Sequence, residues 1–147
     1  MQRLHGEPMD LAALIAESDA PGTGAMVLFT GTVRDENGGK PVVALEYSAY
    51  EPLAERRLAE IEAEAEAAHP GVRCRVCHRV GRLTVGDTSV AVLARAAHRA
   101  EAFAAARWAI EAVKHQVPVF KLEHYADGSQ AWLEGCSLHE AAEQPAP

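Results

Sequence analysis

The segment AHRAEAFAAARWAIEAVKHQVPVFKLEHY, residues 97–125, decides the fold because it combines a long helix with a strand. Small and apolar residues recur at helical spacing from about His98 to His115. The residue before Pro118 is biased away from helical geometry, so we expect the helix to end by about Gln116. The largest candidates for its buried side are Phe103, Ile110 and Val113.

A hairpin is expected to follow this helix. Residues 119–126 (VFKLEHYA) and 131–134 (AWLE) have strand character, and Asp127-Gly128 between them favours a turn. In the first strand, alternation places Phe120, Leu122 and His124 on one face. Lys121 falls on the opposite face, so we expect it to point away from the apolar side.

The residues before this segment predict further helices and strands. Asp10 can cap a short helix that ends near Glu17, and Pro52 can start a second helix that ends near Ala68. The predicted strands cover residues 24–33, 42–50, 72–80 and 88–96, with a loop at 34–41 and a turn at 85–87. The strand at 24–33 is apolar on both alternations, which predicts a central strand covered on both faces.

This order predicts an α+β domain with helices packed on a mixed, largely antiparallel sheet. A chain of 147 residues suits one domain, which we expect to span residues 1–135. Residues 136–147 are expected to form a flexible C-terminal tail.

Composition excludes several functional classes. The net charge of −7 argues against nucleic acid as the main partner, because phosphate binding requires a basic surface. The sequence contains neither a signal-peptide pattern nor eighteen consecutive apolar residues, so we expect no membrane insertion and a cytoplasmic location.

The three cysteines do not predict a disulfide framework or a metal site. Cys74 and Cys77 form a CxxC pair on a predicted strand, where residues three apart point to opposite faces. The third cysteine, Cys136, stands alone, so no second CxxC completes a zinc site. We therefore expect neither a metal nor another cofactor, and the spacing of the histidines likewise argues against a metal-dependent hydrolase.

Five cationic or ionisable residues are candidates for a shared anion site. His98 and Arg99 lie at a helix start, where the helix dipole disfavours cations unless an anion binds between them. Lys114 is ordinary for a last helical turn, and Lys121 and Arg34 are each compatible with a simple surface position. The hypothesis of a shared anion site therefore depends on whether the five side chains lie close together in the folded protein.

The length of the helix indicates that a single chain cannot bring all five residues into one site. Sixteen residues separate His98 from Lys114, which corresponds to about 24 Å along a helix. If all five residues serve one site, we expect a symmetric dimer in which His98 and Arg99 of one chain approach Arg34, Lys114 and Lys121 of the other.

These residues lie within a pattern that resembles the large, catalytic subunit of molybdopterin synthase, the MoaE family. The resemblance runs through FTGTVRDENGG, LEYSAYEPLAE, HRVGRLTVGD, AHRAEAF and KHQVPVFKLE, and it covers about residues 24–134. Five fragments in the same order make the match specific.

The resemblance implies an α/β hammerhead-like fold and a sulfurtransferase. Members convert cyclic pyranopterin monophosphate to molybdopterin by installing two dithiolene sulfurs. The sulfur arrives on the C-terminal Gly-Gly thiocarboxylate of a small, ubiquitin-like MoaD-type subunit. Members also dimerise through the large subunit to form a heterotetramer. Because the partner carries the sulfur, no metal, cofactor or nucleophilic cysteine is required.

The resemblance also assigns residues. Lys114 and Lys121 match the two catalytic lysines of the family, while Arg34, His98 and Arg99 match its substrate-binding positions. We expect Lys114 to polarise the thiocarboxylate carbonyl and Lys121 to assist proton transfer or stabilise charge. The apolar walls are expected to include Phe29 and Phe120, although either can equally be core. Gly135-Cys136 stand where some relatives carry a further basic residue.

A second interpretation remains open from the sequence. The same cations could hold a phosphate or nucleotide in a non-catalytic regulatory domain. Dependence on a small protein partner with a free Gly-Gly end separates the two, because only the synthase requires it.

Overall fold

The computed structural model describes residues 2–133, and the predicted tail at 136–147, with Cys136, lies outside the described residues. In chain order, the elements are β1 (Leu4–His5), α1 (Leu11–Glu17), β2 (Ala25–Thr32), β3 (Glu36–Asn37), β4 (Lys40–Ala49), α2 (Glu51–Ala68), β5 (Arg73–Arg79), β6 (Gly81–Thr84), β7 (Thr88–Ala96), α3 (Arg99–Gln116), β8 (Val119–Tyr125) and β9 (Gln130–Leu133).

The strands form two sheets rather than the single sheet expected. The first has the order β1-β5-β7-β2, and β4 is the centre of the second, where it pairs with β3, β6 and β8 while β9 pairs with β8. Among the described strands only β1 and β5 pair in parallel. The prediction of an α+β fold with a largely antiparallel sheet is confirmed.

Helices cover the first sheet on both sides. The main core joins α2 and α3 to β5 and β7, with Leu58, Ile61, Val76 and Val92 fully buried. A smaller cluster places Leu14 of α1 against the other face of the same sheet. This arrangement removes most apolar surface from water, which is the dominant stabilising contribution to such a fold.

Local sequence signals set the helix ends. The Asp10 side chain accepts a hydrogen bond from the Ala13 N–H and caps α1, as predicted. Pro52 occupies the first turn of α2, and α3 runs from Arg99 to Gln116. These three predictions are confirmed.

The expected central strand is instead an edge strand. β2 pairs only with β7 among the described strands, and Met26 and Phe29 are each 40% exposed. Both faces are nevertheless partly covered as predicted, because Val27 packs against the main core and Leu28 against the Leu14 cluster. The apolar pattern cannot show whether a strand lies at the centre or at the edge of its sheet.

The sequence pattern wrongly predicted that Phe103 lies on the buried side of α3. Phe103 is 63% exposed, because α3 packs on the sheet through small side chains that allow a close approach. The buried side of α3 consists of Ala102, Ala105, Ala106, Ala109, Ile110, Ala112 and Val113. The prediction is therefore wrong for Phe103 and right for Ile110 and Val113.

The expected hairpin between the strands at 72–80 and 88–96 is interrupted. β5 and β7 do pair antiparallel, but β6 lies between them in the chain and pairs with β4 of the second sheet. The turn at 85–87 therefore carries the chain from one sheet to the other. This crossing brings the two sheets together beside the end of α3.

No helix within residues 2–133 combines the length and apolar character needed to cross a bilayer.

Candidate active site

Lys114 and Lys121 line one small cavity where α3 meets the second sheet. The cavity has a volume of about 20 Å³ and is lined by Tyr47, His78, Val113, Lys114, Val117, Val119 and Lys121. We call Tyr47, His78, Lys114 and Lys121 the lysine cleft. The chain turns at Val117 and enters β8 directly, so the two lysines line the same cavity although they lie on different elements.

The face of β8 that carries Lys121 differs from the prediction. Val119, Glu123 and Tyr125 share this face and are buried. On the opposite face Leu122 is buried as predicted, but Phe120 is 51% exposed. Lys121 pairs with Tyr47 of β4 in the antiparallel register. The second sheet thus turns Lys121 toward the body of the protein, because the covering residues come from distant parts of the chain.

His78 is the cleft residue that the sequence reasoning did not select. It is buried, and its Nδ1 lies 2.6 Å from the backbone carbonyl of Arg79. Its ring makes an edge contact with Tyr47, with centroids 5.1 Å apart. Burial lowers the pKa of His78 to about 4, and the nearby charge of Lys114 adds to this effect. The available signal was a histidine directly after Val76-Cys77 in a predicted strand.

A hydrogen-bonded cluster next to the cleft holds the segment after Arg34. The buried carboxylate of Glu123 accepts hydrogen bonds from Asn37 Nδ2 at 2.7 Å and from the Tyr125 hydroxyl at 3.0 Å. Lys40 lies over the Tyr125 ring, 4.3 Å from its centroid. Residues 34–41, expected to be an irregular loop, therefore contain the short strand β3 and are attached to β8.

Arg34 lies at the same end of the molecule as the lysine cleft. His78 pairs with Val90 across the first sheet, and Val90 pairs with Gly31 of β2. Arg34 follows three residues later and is exposed. The register therefore groups Arg34 with Lys114 and Lys121 at one end of the sheet.

His98 and Arg99 lie at the other end of the sheet. They follow β7, whose last residue, Ala96, pairs with Ala25 at the start of β2. Both side chains are exposed, and neither caps α3 with a side-chain hydrogen bond. Eight residues of β2 correspond to about 26 Å, so one chain does not bring these residues to Lys114.

An apolar groove runs between β2 and α3. It has a volume of about 380 Å³ and is lined by Val27, Leu28, Phe29, Phe103, Ala106, Arg107, Ile110 and Glu111. Phe29 thus lies in this groove rather than in the lysine cleft, and Phe120 is exposed on the far face of β8. A groove beside an unpaired strand edge is a surface that a further protein chain can cover.

The described part of the chain contains no cluster of side chains that could bind a metal ion. Residues 2–133 contain no cluster of three or more His, Cys, Asp or Glu side chains that could hold a metal ion. Cys74 lies in the main core and Cys77 in the cluster with Leu14, on opposite faces of β5 as the alternation predicts.

The two buried thiols are expected to be unreactive in the native protein. Burial raises the pKa of Cys74 to about 12 and that of Cys77 to about 11. At pH 8 the thiolate fraction is then about 0.1% or less, and iodoacetamide reacts with the thiolate. Mass spectrometry of the two cysteine peptides should show no alkylation before unfolding and full alkylation after it. Native labelling of either at the rate of a free thiol would contradict this assignment.

Comparison with known proteins gives consistent matches. A sequence model of the family described as MoaE protein matches residues 4–116. The molybdopterin synthase catalytic subunit of Nostoc sp. (strain PCC 7120) is 47% identical over 127 residues, covering 86% of this chain and 77% of that protein. Molybdopterin synthase catalytic subunit 1 of Mycobacterium tuberculosis is 42% identical over 131 residues, covering 89% of this chain and 88% of that protein.

Solved structures share the fold. The crystal structure of molybdopterin synthase from Staphylococcus aureus aligns with a TM-score of 0.85 and 34% identity, covering 90% of this chain and 96% of that chain. The molybdopterin biosynthesis MoaE protein from Burkholderia ambifaria MC40-6 aligns with a TM-score of 0.80 and 36% identity, covering 96% and 93%.

Proposed function

This chain belongs to the MoaE family and is a sulfur-transferring enzyme of molybdenum cofactor biosynthesis, and we propose that the lysine cleft is its catalytic centre. The observation that carries this proposal is the shared cavity of Lys114 and Lys121. The reaction converts cyclic pyranopterin monophosphate to molybdopterin. The sulfur donor is the C-terminal thiocarboxylate of a small, ubiquitin-like MoaD-type subunit.

The chemistry of each transfer requires two steps. The thiocarboxylate sulfur forms a C–S bond with a substrate carbon while a C–O bond of that carbon breaks and the departing oxygen takes up a proton. The partner is then attached to the substrate through a thioester. Water must then cleave the acyl C–S bond, so that the sulfur stays on the substrate and the partner leaves as a carboxylate. The first step develops negative charge on the oxygen that leaves the substrate, and the second develops it on the acyl oxygen of the thioester. Nearby cations stabilise such charge most where water is scarce.

The two lysines meet these requirements from different elements. Lys114 is exposed on the last turn of α3, where an incoming peptide tail can reach it, and we assign it to the thiocarboxylate carbonyl. Lys121 is half-buried on β8, deeper in the cleft, and we assign it to proton transfer or to charge that develops on the opening substrate. Tyr47 is paired with Lys121 in the sheet, contacts the His78 ring and forms part of the wall of the cleft.

Substrate binding is assigned to cationic residues that lie at opposite ends of the sheet within one chain. Arg34, His98 and Arg99 are exposed, and no described residue forms an ion pair with them. Guanidinium groups bind phosphate with two parallel hydrogen bonds, and the uncapped start of α3 adds free N–H donors. We assign these three residues to the phosphate and the pterin of the substrate.

A dimer through β2 solves the problem of distance. If the edges of two β2 strands pair antiparallel about a two-fold axis, the start of one strand lies beside the end of the other. His98 and Arg99 of one protomer then approach Arg34 of its partner, at the end that also holds Lys114 and Lys121. The same pairing covers the exposed Met26, Phe29 and Phe103. An apolar edge strand of this kind needs such a cover.

Partner-dependent turnover tests the proposed function. The wild-type chain, mixed with cyclic pyranopterin monophosphate and a thiocarboxylated small subunit, is expected to form molybdopterin. The matched control is the same small subunit ending in an ordinary carboxylate, which should support binding but no product. Binding of the pterin without turnover under both conditions would favour the regulatory interpretation. We also propose that the reaction occurs in the cytoplasm.

A further inference from the structure

His78 is a buried polar residue in the lysine cleft to which the proposed mechanism assigns no task. Its side chain lines the cavity together with Lys114 and Lys121, and the residue is 6% exposed. The backbone holds it firmly, because its N–H donates to the Arg3 carbonyl at 2.8 Å and β5 pairs with strands on both sides. A polar side chain kept at this depth needs a hydrogen-bonding function.

The contact with Arg79 determines the tautomer of the ring. A carbonyl oxygen only accepts hydrogen bonds, so the Nδ1 atom that lies 2.6 Å from it must carry the hydrogen. The other nitrogen, Nε2, therefore carries a lone pair. Since Nδ1 faces the protein's own backbone, Nε2 is the polar atom that the ring offers to the cleft.

The ring is also uncharged at neutral pH. Burial lowers the pKa of His78 to about 4, and the folded-state ring therefore stays neutral above that pH. The groups that face it are Lys114 from α3, Lys121 from β8 and Tyr47 from β4. On the β1 side, the Arg3 guanidinium is bound to Glu62 at 2.7 Å and so does not add a free cation. The cleft thus combines two cations with one neutral acceptor.

We propose that His78 is a positioning residue, whose Nε2 accepts a hydrogen bond from the Lys114 ammonium, directly or through one water, and aims it at the reacting carbonyl. A cavity of about 20 Å³ can hold about one water molecule. Without such a contact the long side chain of Lys114 can adopt many rotamers. A hydrogen bond to His78 Nε2 favours the rotamer that directs the ammonium toward the reacting carbonyl. This inference rests on the proposed function of the cleft.

Two matched substitutions separate positioning from a merely structural role. In His78→Asn the amide nitrogen can replace Nδ1 and keep the bond to Arg79, but the side chain ends before the cleft. In His78→Gln the amide oxygen can replace Nε2 as an acceptor. We expect kcat to fall about tenfold to a hundredfold in His78→Asn with KM unchanged, and to stay within about threefold in His78→Gln. The reverse order, with His78→Asn fully active, would overturn the proposal.

Nuclear magnetic resonance on the wild-type protein provides a test that needs neither turnover nor a variant of His78. Imidazole ¹⁵N shifts are expected to show a protonated Nδ1, an unprotonated Nε2 and no titration between pH 5.5 and 9. The ammonium signal of Lys114, assigned by its loss in Lys114→Ala, should be visible through slow exchange and show a nuclear Overhauser contact to this ring. A ring protonated at Nε2, or one that titrates in this range, would contradict the proposal.

The two tests also separate this inference from the proposed function. If the wild type makes no molybdopterin but shows the expected tautomer and the protected Lys114 signal, the synthase assignment of the cleft fails while the contact between His78 and Lys114 is supported. If turnover is normal and His78→Asn leaves both kcat and the Lys114 signal unchanged, the function is supported and the role of His78 is refuted.

Discussion

Replacing Lys114 with alanine is expected to lower kcat for molybdopterin formation about a hundredfold or more without unfolding the protein. Lys114 is exposed on the last turn of α3, so its truncation leaves no cavity in the core. Its charge is lost from the point where negative charge develops on the acyl oxygen, and such charge stabilisation is worth a factor of about a hundred to a thousand. The measurement is single-turnover product formation with the thiocarboxylated partner.

A matched control is available on α2. Arg56 is a highly exposed cation whose side chain is 71% exposed and which contacts Glu60 at 3.7 Å. Arg56→Ala removes one positive charge from a residue that does not line the cleft and should leave kcat unchanged, because isolated surface ion pairs contribute little. If Lys114→Ala remained within threefold of the wild type while Arg56→Ala behaved as expected, the catalytic role of Lys114 would be refuted.

Mixed dimers are expected to recover activity that both parent proteins lack. We expect His98→Ala and Lys114→Ala each to be nearly inactive as homodimers. After subunit exchange, half of the dimers contain one copy of each variant, and one of their two sites then has both residues intact. About a quarter of wild-type activity should return, which is measured by mixing the purified variants and assaying product over time.

The control for this experiment uses two residues from the same end of the molecule. Lys114 and Lys121 line one cavity within a single chain, so a mixture of Lys114→Ala and Lys121→Ala leaves no site intact. No recovery is expected there. Recovery of activity in both mixtures would contradict a site shared between protomers in the proposed way. The same holds if neither mixture recovers activity although mass spectrometry shows that the subunits exchanged.

Local chemistry in the sequence was sufficient for most helices and for the last hairpin. Asp10 caps α1, Pro52 starts α2, and the turn at Asp127-Gly128 joins β8 to β9. Each of these features depends on interactions within a few residues, which is why the sequence reveals them. The positive φ of 86° at Gly128 is one such local requirement.

The site was only partly visible in the sequence. Lys114 and Lys121 could be selected from the pattern, and the helix length alone indicated that His98 lies far from them. The chain itself could not show that Lys121 faces inward, because the residues that cover this face come from β4 and the end of α3. His78 was missed because its depth results from pairing with strands distant in sequence.

The sequence by itself determined the local elements, the family pattern and the chemical types of the candidate residues, because helix caps, turns and periodicity act over short distances along the chain. Only the tertiary structure decided that β2 is an edge strand, that Phe103 is exposed and that a neutral histidine lies beneath two lysines. Burial depends on which distant segments pack together, and the physical reason for this division is therefore the range of the interactions.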